Sequence, residues 1–218
     1  MRKIAFILLS VFGALTVYSQ KPCTDSMSID AAFNACIAMR DAVAKNDTAA
    51  IRQSAVDLKA VGATSFNSLR CKDDSIASLN GHLVFDEAFA DNLAEGKEVY
   101  GKADEMNRTK THRGQYTDGK VHTKTCFVKA GKSTKYSFAS KGHQELAVVA
   151  EAGGLVTMKV HVTNSAGLDK RFDDTKNVKR GMPHRKTFFE LPTECRNTVE
   201  LEIVNCGNKD CSFVVISN

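Results

Sequence analysis

The chain has 218 residues, 43% of them hydrophobic and 25% charged, with a formal net charge of +5. That hydrophobic share is enough to fill a packed core, which excludes a disordered chain, and the length suits one large domain or two small ones. The charge is uneven. Residues 20–106 hold 9 Lys and Arg against 14 Asp and Glu, a net of −5, whereas residues 107–218 hold 19 against 11, a net of +8. A change of sign along a chain marks a domain boundary, or two halves that attract and dock.

Residues 1–19 read as a secretory signal. Arg2 and Lys3 open it, Ile4 to Val17 carries no charge, and Val17-Tyr18-Ser19 supplies the cleavage site. The apolar run rises only about 21 Å as a helix, short of the roughly 30 Å core of a bilayer. The mature protein is therefore expected to be exported, with no transmembrane segment, and to be periplasmic, surface-associated or secreted. Lys21 and Pro22 before Cys23 argue against a lipid anchor at that cysteine.

From Ser28 the apolar residues step by three and four. Ile29, Phe33, Cys36, Ile37, Met39 and Val43 form one stripe, with Ser28 as its cap. Asn46-Asp47 breaks the helix and caps the next, whose stripe is Ile51, Ala55 and Leu58, closed by Gly62. Residues 65–71 read as a further turn or two. His82–Phe85 reads as a short extended piece, and a longer helix is expected from Asp86 through Tyr100. Together these predict a helical domain over 20–106, an antiparallel bundle of three or four helices. Residues 107–119 read as a polar linker.

Beyond it the period changes from about 3.6 to 2. Tyr136 and Phe138, then Leu146, Val148 and Ala150, then Val156, Met158, Val160 and Val162, alternate with other residues. So do Val199, Leu201 and Ile203, and Phe213–Ile216 closes the chain. With 121–129 and 187–191 these make seven or eight short strands over 120–218, a β-sandwich or jelly-roll domain. One face of each sheet is expected to be buried and the other solvated. The fold class is thus α+β in two domains, helical bundle first and all-β sandwich second.

The run Phe127-Val128-Lys129-Ala130-Gly131-Lys132-Ser133-Thr134-Lys135-Tyr136-Ser137-Phe138 places an Ala-Gly turn between a strand and a Tyr-x-Phe strand. The chain closes on Val199–Asn205 and Ser212–Asn218. Both stretches resemble the bacterial pre-peptidase C-terminal sandwich domain. That resemblance implies a non-catalytic accessory domain of exported proteins, one that aids substrate or calcium binding; here no peptidase precedes it.

Seven cysteines stand at 23, 36, 71, 126, 195, 206 and 211, an odd number. Export permits disulfides. Cys206 and Cys211 flank the turn-rich Gly207–Asp210, and a hairpin there would bring them together. Cys36 with Cys71, and Cys126 with Cys195, are further pairings, leaving Cys23 over. No metal or cofactor is expected, since the six histidines at 82, 112, 122, 143, 161 and 184 form no ligand set at metal spacing.

Catalysis finds little support. Cys126 and His122 lie about 13 Å apart along a strand, too far for a thiol–imidazole bond, and no G-x-S-x-G elbow occurs. The most unusual stretch is 169–186, which carries Lys170, Arg171, Lys176, Lys179, Arg180, Arg185 and Lys186 between two strands. Read as a long loop on a rigid scaffold, it is the expected binding surface for an acidic polysaccharide or an acidic protein. Nucleic acid is disfavoured by export and by sparse aromatics among the basic residues. The expected role is a non-catalytic binding or interaction protein. The alternative is an accessory substrate-binding component of a secreted hydrolase system.

Overall fold

The computed structural model describes residues 24–72, 81–86, 120–173 and 180–218. The signal, the helix expected beyond Asp86, the linker, Cys23, His112, Lys176 and Lys179 lie outside the described residues.

Helix α1 runs Thr24–Ala44 and α2 runs Thr48–Ala60. α1 begins four residues before Ser28, the cap expected from the sequence. α2 starts where predicted. Asp47 is extended at its N-cap, and its Oδ1 accepts a 3.0 Å bond from the Ala50 amide, satisfying one of the open N–H groups of the first turn.

Among the described residues ten strands follow: β1 Thr64–Ser65, β2 Arg70–Cys71, β3 His122–Val128, β4 Ser133–Ser140, β5 His143–Ala150, β6 Val156–Asn164, β7 Asp169–Asp173, β8 His184–Glu190, β9 Asn197–Asn205 and β10 Cys211–Ser217. They form two five-stranded sheets. Sheet A has the order β1-β3-β10-β5-β8 and sheet B the order β2-β4-β9-β6-β7. Apart from the parallel β1–β3 pair, all neighbours are antiparallel. Counted from β3, the chain crosses repeatedly between the sheets in the order of an eight-stranded jelly roll. β1 and β2 extend the two sheets at the same side.

Three expectations change here. Residues 65–71 are not a helical turn: they pass from sheet A to sheet B, with Phe66 and Leu69 buried between the sheets. Residues 169–173 are not loop but the edge strand β7, with Phe172 packed on the core. β9 and β10 do not form a hairpin. They lie in opposite sheets, so residues 206–210 cross from one to the other.

The helices do not build a core of their own. The inward faces of the sheets bury Phe213, Val215, Leu146 and Val148 from sheet A against Tyr136, Met158, Val160 and Leu201 from sheet B. The alternate residues of sheet A, Ala147, Val149, Val214 and Ile216, point the other way. There they meet Ile29, Ala32, Cys36 and Met39 of α1 and Ala55 and Leu58 of α2. The outer face of sheet A is therefore covered over β5 and β10, which are apolar on both faces rather than alternating with solvent. In place of a free-standing bundle, the described residues form three layers: two helices, sheet A and sheet B.

The half-buried Glu151 carboxylate fastens the connecting segment. It accepts bonds from the amides of Leu83 at 3.0 Å and Ser212 at 2.8 Å, and it faces His82 Nδ1 at 2.7 Å. Such charge-assisted bonds fix residues 82–85 across the end of sheet A, where Phe85 is fully buried.

Candidate functional site: the outer face of sheet B

With helices on sheet A, the broad exposed sheet face among the described residues is that of sheet B. Its side chains follow from the registers. One row across the strands is Lys135, Glu202, Lys159 and Asp173. The next is Ser137, Glu200, His161 and Arg171. Opposite charges thus stand side by side on neighbouring strands, the arrangement that stabilises a solvated sheet face. Lys72, just past β2, reaches over to pair with Glu200.

All of these but Ser137 line a shallow cleft of about 290 Å³. Arg171 grips Asp169, with Nε at 3.0 Å from Oδ1 and NH2 at 3.2 Å from Oδ2. His161 lies between two carboxylates, Nε2 at 3.1 Å from Asp169 and Nδ1 at 3.7 Å from Glu200. The guanidinium of Arg171 holds the Asp169 carboxyl below its ordinary value, and the Lys72 ammonium does the same for Glu200. Lys159 stands 3.9 Å from Glu202. The cleft therefore offers fixed cationic donors and anionic acceptors at strand spacing. Phe172, which also lines the cleft, packs partly against the core.

The basic residues singled out in the sequence do not gather at one place. Arg171 lines the cleft. Lys170 turns to the other side of β7, and its Nζ donates to the Glu190 carbonyl at 2.7 Å. Arg180 is exposed ahead of β8, and Arg185 reaches the Met182 sulfur at 3.1 Å. Lys186 is in the other sheet, 3.0 Å from the buried Glu145 carboxylate and paired with Asp30 of α1. Two edge strands in different sheets carry what reads in sequence as one loop. The residues not foreseen are Lys72, Lys135, Lys159, His161, Glu200 and Glu202. Their signal was present as the polar half of each alternating strand, but only the register brings them together.

None of the six described cysteines is in a disulfide. Cys36 lies in α1 against sheet A and Cys71 in sheet B. Cys126 faces the sandwich interior from β3, while Cys195 follows Pro192 in the loop before β9 and contacts Asn164. Cys206 is exposed, whereas Cys211 is buried in the core, beyond the crossing that replaces the expected hairpin. Burial pushes the Cys126 and Cys211 thiols up to about 12 and Cys36 higher still, so all three are protonated near neutral pH. Among the described residues no group of three or more His, Cys, Asp or Glu side chains is placed to hold a metal ion. No described helix is long and apolar enough to cross a membrane.

No family model matches the chain, that of the pre-peptidase C-terminal domain included, and no curated protein matches it. Solved structures of low similarity do. The Yersinia pseudotuberculosis-derived mitogen is 12% identical, covering 45% of this chain and 84% of that one, with a TM-score of 0.31. TmCBM61, solved in complex with beta-1,4-galactotriose, is 10% identical, covering 45% and 81%, with a TM-score of 0.28. A mutant of PliG from Escherichia coli, a periplasmic inhibitor of g-type lysozyme, is 16% identical, covering 45% and 86%, with a TM-score of 0.27. Superpositions this loose transfer no function.

Proposed function

We propose that the chain is an exported, non-catalytic binding protein whose sheet B face holds an acidic polysaccharide. The observation that carries this reading is the cleft of about 290 Å³ in which Lys72, Lys135, Lys159 and Arg171 alternate with Asp173, Glu200 and Glu202. Carboxylate or sulfate groups of a glycan suit the four cationic side chains, and its hydroxyls suit the carboxylates between them. A hydrophobic protein partner fits this face poorly, because the alternating rows place charge where an interface core is apolar. The basic opening and apolar run of residues 1–19 support export.

Affinity electrophoresis in gels cast with polygalacturonate or alginate, with neutral dextran as control, tests the reading. The protein is expected to be retarded by the acidic polymers and released as salt rises, since exposed charges are screened within about 10 Å at 0.1 M salt. Replacing Lys135, Lys159 and Arg171 together by alanine is expected to weaken retardation roughly tenfold, at about 0.5 kcal/mol for each exposed contact. Equal retardation of that variant and the parent would remove the cleft from the argument.

A further inference from the structure

We propose that a depression beside the cleft, lined by Arg70 and Arg196, seats a sulfate ester of the acidic polysaccharide; this deepens, and rests on, the reading of sheet B as the glycan-binding face. The depression measures about 110 Å³, and Ser68, Ser137, Ala139 and Thr198 line it together with the two arginines. Roughly four water molecules would fill that volume, so it takes one small group and not a sugar ring.

Register brings these groups together. Arg70 on β2 is level with Ser137 on β4, and Ser137 is level with Glu200 on β9. Glu200 belongs to the cleft, so cleft and depression are neighbours on one face. Thr198 is level with Ala139, two residues further along the same pair of strands. Arg196 arrives from the loop before β9. The next residue, Asn197, is fully buried and donates to the carbonyls of Pro192 at 2.9 Å and Ser140 at 3.2 Å, which pins the end of that loop against β4.

The depression differs from the cleft in having no acid. In the cleft Arg171 is held by Asp169, and Lys72 by Glu200. The described lining residues of the depression include no Asp or Glu. Among the described residues neither the Arg70 nor the Arg196 guanidinium has a hydrogen bond or ion pair, and the hydroxyls of Ser68, Ser137 and Thr198 have no partner either. Two cations that share one small volume repel each other, and an anion between them removes that cost. Each guanidinium presents a planar fork that matches two oxygens of an oxyanion, and the hydroxyls rotate to donate to what is left. The tetrahedral sulfate ester offers three terminal oxygens to donors arriving from three segments of chain. A carboxylate offers two in one plane, which a single fork already fills.

Two measurements test this. Inorganic sulfate is titrated into the isotope-labelled full-length protein, and the arginine Nε–Hε resonances are followed by NMR. Those of Arg70 and Arg196, assigned from Arg70→Lys and Arg196→Lys, are expected to shift together and to saturate. No shift in either overturns the proposal, whether or not a polymer binds. Affinity electrophoresis then compares chondroitin sulfate with chemically desulfated chondroitin, which keeps the same carboxylates. The parent is expected to be retarded about tenfold more strongly by the sulfated polymer, from two exposed ionic contacts worth about threefold each. Arg70→Ala combined with Arg196→Ala is expected to abolish that preference and keep the retardation by desulfated chondroitin. A parent retarded equally by both polymers, or a double variant that still prefers the sulfated one, sinks the assignment. A parent that neither polymer retards removes the polysaccharide reading instead, and the sulfate titration alone then decides whether the depression is an oxyanion site.

Discussion

Phe213→Ala is expected to lower the stability of the fold by about 4 kcal/mol, within the 3–5 kcal/mol typical of a buried aromatic ring cut to a methyl group. Phe213 is fully buried at the centre of the sandwich. Its strand, β10, is hydrogen-bonded on both sides, and the residues level with it are Cys126 on β3 and Ala150 on β5. Both flanking side chains are small, so neither can swing in to fill the space the ring leaves. Across the interior the ring meets Tyr136 edge to face, with centroids 6.1 Å apart and planes at 80°, a contact worth a further fraction of a kcal/mol to about 1.5. Urea unfolding followed by fluorescence and circular dichroism checks this: the midpoint should fall while the slope stays constant. A loss below about 1 kcal/mol would mean that the two sheets are not packed through this ring.

Lys186→Met is expected to cost about 2 kcal/mol, although in sequence Lys186 belongs to a surface cluster. Its ammonium stands 3.0 Å from Glu145 Oε2, and the Glu145 side chain is only 7% exposed. Removing one partner of a fully buried pair costs about 3–5 kcal/mol, and the partial exposure of Lys186 reduces that figure. Burial pulls the Lys186 ammonium down, but Asp30 and Glu145 together overcome it and leave its pKa raised. In the variant the charge of Glu145 is met by His143, whose Nε2 lies 3.0 Å from Oε1 while its Nδ1 lies 2.5 Å from Glu190.

The pH dependence has a definite sign. Glu145 first, and Glu190 after it, raise the His143 pKa above 6.5. The protonated ring thus stabilises the fold fully below that value, and the contribution is lost as pH rises through the raised pKa. Without Lys186 the buried carboxylate depends on this ring, so the stability of Lys186→Met should fall more steeply above pH 6.5 than that of the parent. Denaturant titrations at a series of pH values measure it. Parallel curves for the two proteins would show that Glu145 does not rely on either cation.

The strands were legible because most bury one face in a sandwich whose other sheet lies opposite. Val156, Met158, Val160 and Val162 point inward as their spacing predicts, and Val199, Leu201 and Ile203 do the same. The two helices were legible for the same reason. What their stripes could not reveal is the surface they cover, since a period of 3.6 says that a face is buried but not against what. The clue lay in β5 and β10, where Ala147, Val149, Val214 and Ile216 break the polar alternation that a solvated face would have. The opposite charges of the two halves meet in part at this layer, where Asp30 of α1 pairs with Lys186 of β8. β7 was hidden because an edge strand at the rim carries charge on both sides, Lys170 as well as Arg171. The cleft was hidden because it is made by lateral pairing across five strands, which no single stretch of sequence encodes.

Covering sheet A on both sides also sets where water enters last. β5 and β10 are hydrogen-bonded to neighbours along both edges and roofed on both faces, so their amides exchange with solvent deuterium only when helices and sandwich part together. Among the described residues β7 and β8 each have a strand neighbour along one edge only, so their amides are released through local fraying. The sheets therefore loosen from their edge strands inward, and the slowest protons mark the layer that the helices and the jelly roll hold in common.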